Sequence, residues 1–170
     1  ADNLKTHCIV AAWEWPSYMS PEAFDEGIKI KISSYKRQTN NLVSRSKVNG
    51  NYVTSIMALQ EAMQEGFDEA LLLDDEGNIS EGSGENLFLV KNGKLFTPDL
   101  AASLNGITRK SIISLAQEEE IEVKVKKINL NEILDADELF FTGTAAEVVP
   151  IRTVDRNIIA NGKRGPITTI

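Results

Sequence analysis

Four short segments carry residue types able to do chemistry on a small molecule. Ser46-Lys47-Val48-Asn49-Gly50-Asn51-Tyr52 puts a lysine at the end of a polar loop, just ahead of a helical pattern. A lysine amine bonds an aldehyde or ketone as a Schiff base once its proton is removed. Ile79-Ser80-Glu81-Gly82-Ser83-Gly84-Glu85-Asn86 sets two carboxylates among glycines that let the backbone bend and come close to a ligand. Those carboxylates suit a cationic ring nitrogen or an acid/base pair. In Leu104-Asn105-Gly106-Ile107-Thr108-Arg109 a glycine opens a helix, which leaves the N–H groups of Ile107 and Thr108 free for an anion. Thr142-Gly143-Thr144-Ala145-Ala146-Glu147 ends an apolar strand in small residues, with room for a ligand and with N–H and hydroxyl donors for an anion.

Each segment alone has a plainer reading. Lys47 can be a solvated lysine with Asn49 and Asn51 as helix caps. The glutamates can sit in a wide hairpin loop, Asn105 or Thr108 can cap a helix, and the threonines can form a tight turn. Together the four offer an amine for a carbonyl, a carboxylate for a ring nitrogen, and two donor sites for phosphate and carboxylate. Pyridoxal phosphate requires these groups to converge.

The elements that must position them follow from hydropathy patterns. Residues 5–13 (KTHCIVAAW) read as a buried strand stopped near Pro16, and 28–35 (IKIKISSY) alternate with the period of a half-solvated strand. The polar stretch 36–47 reads as a loop. Residues 51–65 read as a helix, with Tyr52, Ile56, Leu59 and Met63 at helical spacing and Gly66 as its stop. Strands are expected at 69–74, 86–91 and 94–97, the last two joined by Asn92-Gly93, a type I′ hairpin signal. Residues 108–119 predict a second helix with Ile112, Ile113, Leu115 and Ala116 inside. A strand over 121–128, a short helix at 130–134, strands over 138–143 and near 148–154, and a helix opened by Gly165-Pro166 complete the chain. No repeat or linker divides it, so it reads as one domain.

Composition narrows the functional classes. The chain has 170 residues, 42% of them apolar, which supports a core and excludes disorder. Its apolar runs are far shorter than a bilayer span, so no membrane partner is expected. With 25 acidic and 18 basic residues the net charge is −7, which argues against nucleic acid. One cysteine, Cys8, excludes an internal disulfide framework and a cysteine-built zinc site, and one histidine, His7, sets aside a His-rich metal centre or a Ser-His-Asp triad. No metal is expected. His7 and Cys8 are expected in the core or edge of the first strand, and Trp13 and Trp15 in the core or against a partner. No basic stretch followed by an apolar one opens the chain, and the expected location is cytoplasmic.

In this order and at these spacings, the segments resemble the class IV (fold type IV) pyridoxal-phosphate aminotransferases, most of all those acting on branched-chain amino acids. The likeness covers nearly the whole chain. Its most specific part runs from Glu81 through Asn86-Leu87-Phe88, across Leu95-Phe96-Thr97, to Leu104-Asn105-Gly106-Ile107-Thr108-Arg109. Lys47…Gly50-Asn51-Tyr52, EGSGEN and GTAAEVVPIR carry the branched-chain likeness. Val48-Asn49-Gly50 after the lysine departs from the small residue or glycine pair common in relatives.

The resemblance implies an α+β fold: the large domain of the D-amino-acid aminotransferase-like fold, a β pseudobarrel with flanking helices. It implies pyridoxal 5'-phosphate as cofactor. Lys47 would be the Schiff-base lysine and the proton carrier, and Glu81 would hold the pyridine nitrogen protonated. Tyr52 would bond the ring hydroxyl, and Ile107, Thr108 and Thr144 would hold the phosphate. The backbone at Thr144 and Ala145 would bind the substrate carboxylate, while Gly84, Glu85 and Asn86 would shape the ring site. The implied reaction moves the amino group of Leu, Ile or Val to 2-oxoglutarate, in a homodimer or larger homo-oligomer. Alternatives are a D-amino-acid aminotransferase, an aminodeoxychorismate lyase, or a catalytically silent domain. Family members are longer, so residues 1–170 are expected to be the lysine-bearing C-terminal domain, without the small N-terminal domain and with a truncated last helix. Alone it is expected to bind cofactor and to transaminate weakly or not at all.

Overall fold

Nine strands and five α-helices form within the residues that this computed structural model describes, 4–39 and 46–170. In chain order they are α1 (Pro21–Glu26), β1 (Ile28–Arg37), α2 (Tyr52–Gln64), β2 (Glu69–Asp74), β3 (Ile79–Gly82), β4 (Asn86–Lys91), β5 (Lys94–Pro98), α3 (Ile107–Glu118), β6 (Val123–Lys126), α4 (Leu130–Leu134), β7 (Glu138–Gly143), β8 (Glu147–Val154), β9 (Asn157–Ile158) and α5 (Pro166–Thr169). The strands run β3-β2-β1-β8-β7-β4, and β4 pairs back to β3, so these six close a ring. β1 lies parallel to both β2 and β8, and the other ring pairings are antiparallel. The closing β3–β4 ladder consists of one residue pair, Glu81 with Asn86. β5 and β6 extend the sheet beyond β4, and β9 pairs with β8. The fold is the α+β pseudobarrel with flanking helices.

Strand alternation builds the layers. Leu71, Leu87, Leu89, Leu139 and Phe141 enter one large core with Ile28, Ile30, Val149 and Ile151. Their neighbours point the other way. Phe88, Val90 and Phe140 meet α3 through Ile112, Ile113 and Ala116, and Phe88 and Phe140, which pair across the ladder, stack with centroids 5.1 Å apart. Ala70 and Leu72 meet Ala58 and Ala62 of α2. α2 packs through its small side, Ser55, Ala58 and Ala62, which lets it lie close to the sheet and leaves Ile56 and Met63 exposed. In α3, Leu115 is exposed and the buried Arg109 stands on the inner face instead. Asn92 and Gly93 both take positive φ, as the type I′ turn between β4 and β5 requires.

Three expectations about elements are corrected. Residues 5–13 form no strand: among the described residues no ladder accepts them, and Ile9 and Val10, like His7 and Cys8, lie exposed. Trp13 and Trp15 are exposed as well, against each other with centroids 5.7 Å apart. The strand at 28–35 continues through Lys36 and Arg37, which pair with Leu73 and Asp74 of β2 instead of opening a loop. Most of the remaining loop, 40–45, lies outside the described residues. The glutamate segment contains a strand, β3, held by β2 on one side and β4 on the other. Among the described residues no helix is long and apolar enough to cross a membrane, and no cluster of His, Cys, Asp and Glu is arranged to hold a metal ion.

Candidate active site

A cavity of about 250 Å³ opens at the β3–β4 closure, between the residues leading into α2, the first turn of α3 and the end of β7. Lys47, Tyr52, Glu81, Ile107, Thr108 and Thr144 all line it, with Gly84, Glu85 and Asn86. Ala145 does not reach the lining; it sits exposed in the turn after Thr144.

The lysine is placed by a tight turn. Val48 N–H donates to Ser46 O, Asn51 N–H to Val48 O, and the Asn51 side chain to Ser46 O, so a single 3-10 turn (Asn49–Asn51) leads straight into α2. Lys47 Nζ then lies 2.9 Å from the Tyr52 hydroxyl, to which it donates.

Glu81 is buried in β3, and its carboxylate is held from three sides. Arg37 Nη2 lies 3.3 Å from Oε1, Leu104 N–H donates to Oε2 at 3.0 Å, and Asn86 Nδ2 approaches Oε2 at 3.4 Å. Burial pushes this carboxyl up from the usual range, while Arg37, the Leu104 N–H and Lys47 pull the other way. Arg37 is itself fixed by donation to Ser55 Oγ at 2.7 Å and to Asn51 O at 3.4 Å. Sequence reasoning missed Arg37 because the stretch from 36 onward reads as loop. The signal was the alternation of 28–35 running on into an arginine, together with a buried glutamate in need of a cation.

The anion end is built by stitching 102–106 to the strands. Ser80 Oγ donates to Ala102 O, Ser103 Oγ to Ser80 O, and Asn86 Nδ2 to Leu104 O at 2.8 Å. Arg109 anchors α3 from behind, donating to Thr97 Oγ1 and Pro98 O, while Thr97 donates to Leu87 O. Gly106 is the N-cap, and no side chain caps the helix, so neither Asn105 nor Thr108 uses up the first N–H groups. Opposite, Thr142 Oγ1 is buried without a hydrogen-bond partner among the described residues, and Gly143 passes close to Gly84.

Gly106 has no room for a side chain, since a Cβ there would collide with Asn86 Oδ1. Gly106→Ala is expected to cost about 1–3 kcal/mol by overpacking and to weaken phosphate binding at the α3 N-terminus. Chemical denaturation and a phosphate titration measure both, and two unchanged midpoints would refute the constraint.

A family model described as amino-transferase class IV matches residues 1–154. The chain is 52% identical over 169 residues to a branched-chain-amino-acid aminotransferase of Pseudomonas aeruginosa, covering 99% of this chain and 55% of that protein. It is 44% identical over 168 residues to the protein of that name from Escherichia coli, covering 98% and 54%. The solved structure of the Escherichia coli branched-chain amino acid aminotransferase superposes with a TM-score of 0.90 at 43% identity, over 94% of this chain and 53% of that one. The branched-chain aminotransferase of the thermophilic archaeon Thermoproteus uzoniensis, solved with norvaline, gives 0.80 at 43% identity, over 85% and 48%. Another solved branched-chain amino acid aminotransferase, with pyridoxamine 5'-phosphate, gives 0.87 at 44% identity, over 92% and 52%. The chain thus spans about half the length of the relatives it matches.

Proposed function

Because this chain belongs to the amino-transferase class IV family, we propose that it carries the lysine-bearing part of a pyridoxal-phosphate enzyme that transfers the amino group of branched-chain L-amino acids to 2-oxoglutarate. The observation that carries this reading is the Lys47–Tyr52 pair, with Nζ 2.9 Å from the phenol, in one cavity with the buried Glu81 carboxylate and the uncapped first turn of α3. The residues fit the cofactor. The first-turn N–H groups of α3, which the N-cap Gly106 does not cap, and the Thr142 hydroxyl, buried without a hydrogen-bond partner among the described residues, suit a phosphate, and a cation-braced carboxylate suits a ring N–H.

When bound, pyridoxal phosphate supplies an electrophilic carbonyl carbon and a ring that accepts electron density from the substrate's α-carbon. Lys47 Nζ is the amine for that carbonyl and carries the proton to and from the substrate α-carbon. Tyr52 orients Nζ and bonds the ring hydroxyl. Glu81 Oε1 and Oε2, fixed by Arg37 and the Leu104 N–H, accept from the ring nitrogen and keep its proton in place. Ile107, Thr108 and Thr144 would hold the phosphate, and the backbone at Thr144, which unlike that of Ala145 lines the cavity, would take the substrate carboxylate. The whole protein would work as a homodimer or larger homo-oligomer in the cytoplasm, on amino acid and 2-oxo acid substrates.

The test is amino transfer to 2-oxoglutarate by the whole protein with pyridoxal phosphate present, comparing L-leucine with D-alanine as donor. Transfer from leucine is expected. Transfer from D-alanine alone would overturn the substrate assignment.

A further inference from the structure

The two ends of the cavity, the Glu81 carboxylate and the first turn of α3, come from different elements, and one side chain joins them. Asn86 opens β4, is 6% exposed and is the cross-strand partner of Glu81. A side-chain amide carries two N–H donors, and Asn86 spends them on Leu104 O at 2.8 Å and on Glu81 Oε2 at 3.4 Å. Leu104 is thereby held at both of its backbone groups, since its N–H donates to the same Glu81 oxygen at 3.0 Å. Glu81, Asn86 and Leu104 form a closed circuit of three hydrogen bonds. From Leu104 the grip passes to the helix. Gly106, the N-cap of α3, donates its N–H to Leu104 O at 2.9 Å. Its φ of −62° is open to any residue, so glycine is needed there for room, because Asn86 Oδ1 fills the place of a Cβ. Asn86 lines the cavity, yet it has no donor left for a ligand.

We propose that Asn86 is a positioning residue: it fixes the spacing between Glu81 and the first turn of α3, so that a ligand with a ring N–H at one end and a phosphate at the other meets both at once. The ligand in this statement rests on the function proposed above. Two groups on one rigid molecule bind far more tightly than either alone only when their sites stand at the molecule's own spacing. Without Asn86 each end keeps its own means of binding. Glu81 retains Arg37 and the Leu104 N–H, and α3 retains its uncapped first turn with Arg109 anchored behind it. Their placement relative to each other is what is lost.

Titrating the whole protein and its Asn86→Ala variant with pyridoxal 5'-phosphate, pyridoxal and inorganic phosphate tests this role. Affinity for pyridoxal 5'-phosphate is expected to fall about tenfold or more in the variant, as the advantage of joined groups is lost. Affinities for pyridoxal and for phosphate, each engaging one end, are expected to stay as they are. A variant that binds pyridoxal 5'-phosphate as well as the unsubstituted protein overturns the proposal. So does one that loses phosphate or pyridoxal to the same degree, because Asn86 then serves one end only. Hydrogen exchange of the ligand-free proteins gives a second readout: protection over residues 104–106 is expected to fall about tenfold in Asn86→Ala, and unchanged protection overturns the tie. If the unsubstituted protein binds pyridoxal 5'-phosphate no better than the two halves, the proposed cofactor fails instead, and exchange still decides whether Asn86 links Leu104 to Glu81. Should Asn86→Ala fail to fold, Asn86→Leu fills the same space without donors and is read the same way.

Discussion

Replacing Lys47 by alanine is expected to lower amino transfer on the order of 10⁴-fold and to leave no lysine that borohydride can trap onto pyridoxal phosphate within this cavity. The size of the effect follows from two tasks resting on one atom. In the proposed reaction Nζ is both the amine that bonds the carbonyl and the group that moves the α-proton, so no neighbour can take over half of the work. Tyr52 Oη, which lies 2.9 Å away, offers a phenol and no amine. Lys47 is exposed and packs into no core, so its loss leaves the fold intact and an unchanged denaturation midpoint serves as the control. Peptide mass mapping after reduction gives the direct measurement. A label that remains in the cavity of Lys47→Ala, or one that sits elsewhere in the unsubstituted protein, would refute the assignment.

Glu81→Gln is expected to do two kinds of damage at once. The amide keeps the shape of the side chain but removes the charge proposed to hold a proton on the ring nitrogen, a loss of about 10²–10³-fold in kcat by analogy with other preorganised electrostatic partners. It also strands Arg37. That side chain is only 14% exposed, and among the described residues its Nε has no hydrogen-bond partner and its other bonds go to neutral oxygens of Ser55 and Asn51. Breaking a buried pair from one side costs about 3–5 kcal/mol, so the denaturation midpoint should fall clearly. Adding Arg37→Met should restore most of the stability and none of the activity, because it removes the stranded charge without returning the acceptor. If the double variant is no more stable than Glu81→Gln, Arg37 and Glu81 are not coupled as their geometry implies.

Local chemistry made much of the fold legible. The Asn92-Gly93 turn, the apolar runs of β4 and β7, and the glycine ahead of α3 each have a short-range physical cause, and each lies close to where pattern alone puts it. The failures were matters of partnership. KTHCIVAAW has the composition of a buried strand, but a strand exists only where a ladder accepts it, and hydropathy says nothing about that. In α2 the apolar spacing of Ile56 and Met63 draws attention to the wrong face, because alanines approach a sheet more closely than long side chains do. At the site, the residues with unusual local settings (a lysine before a helix, glutamates among glycines, a glycine at a helix start) were readable. Arg37 was not, since its meaning comes from Glu81, 44 residues further along the chain.

The single pair that closes the ring, Glu81 with Asn86, lies at the mouth of the cavity. Every other ring junction is a ladder of two or more pairs. A molecule gripped by Glu81 on one lip and by the first turn of α3 and Thr144 on the other would therefore span the seam and fasten it. Occupancy and mechanical closure become one variable: at a hundredfold excess over its dissociation constant, such a ligand adds about 2.7 kcal/mol to the closed barrel. The place where the proposed chemistry would occur is also the place where the barrel would open first.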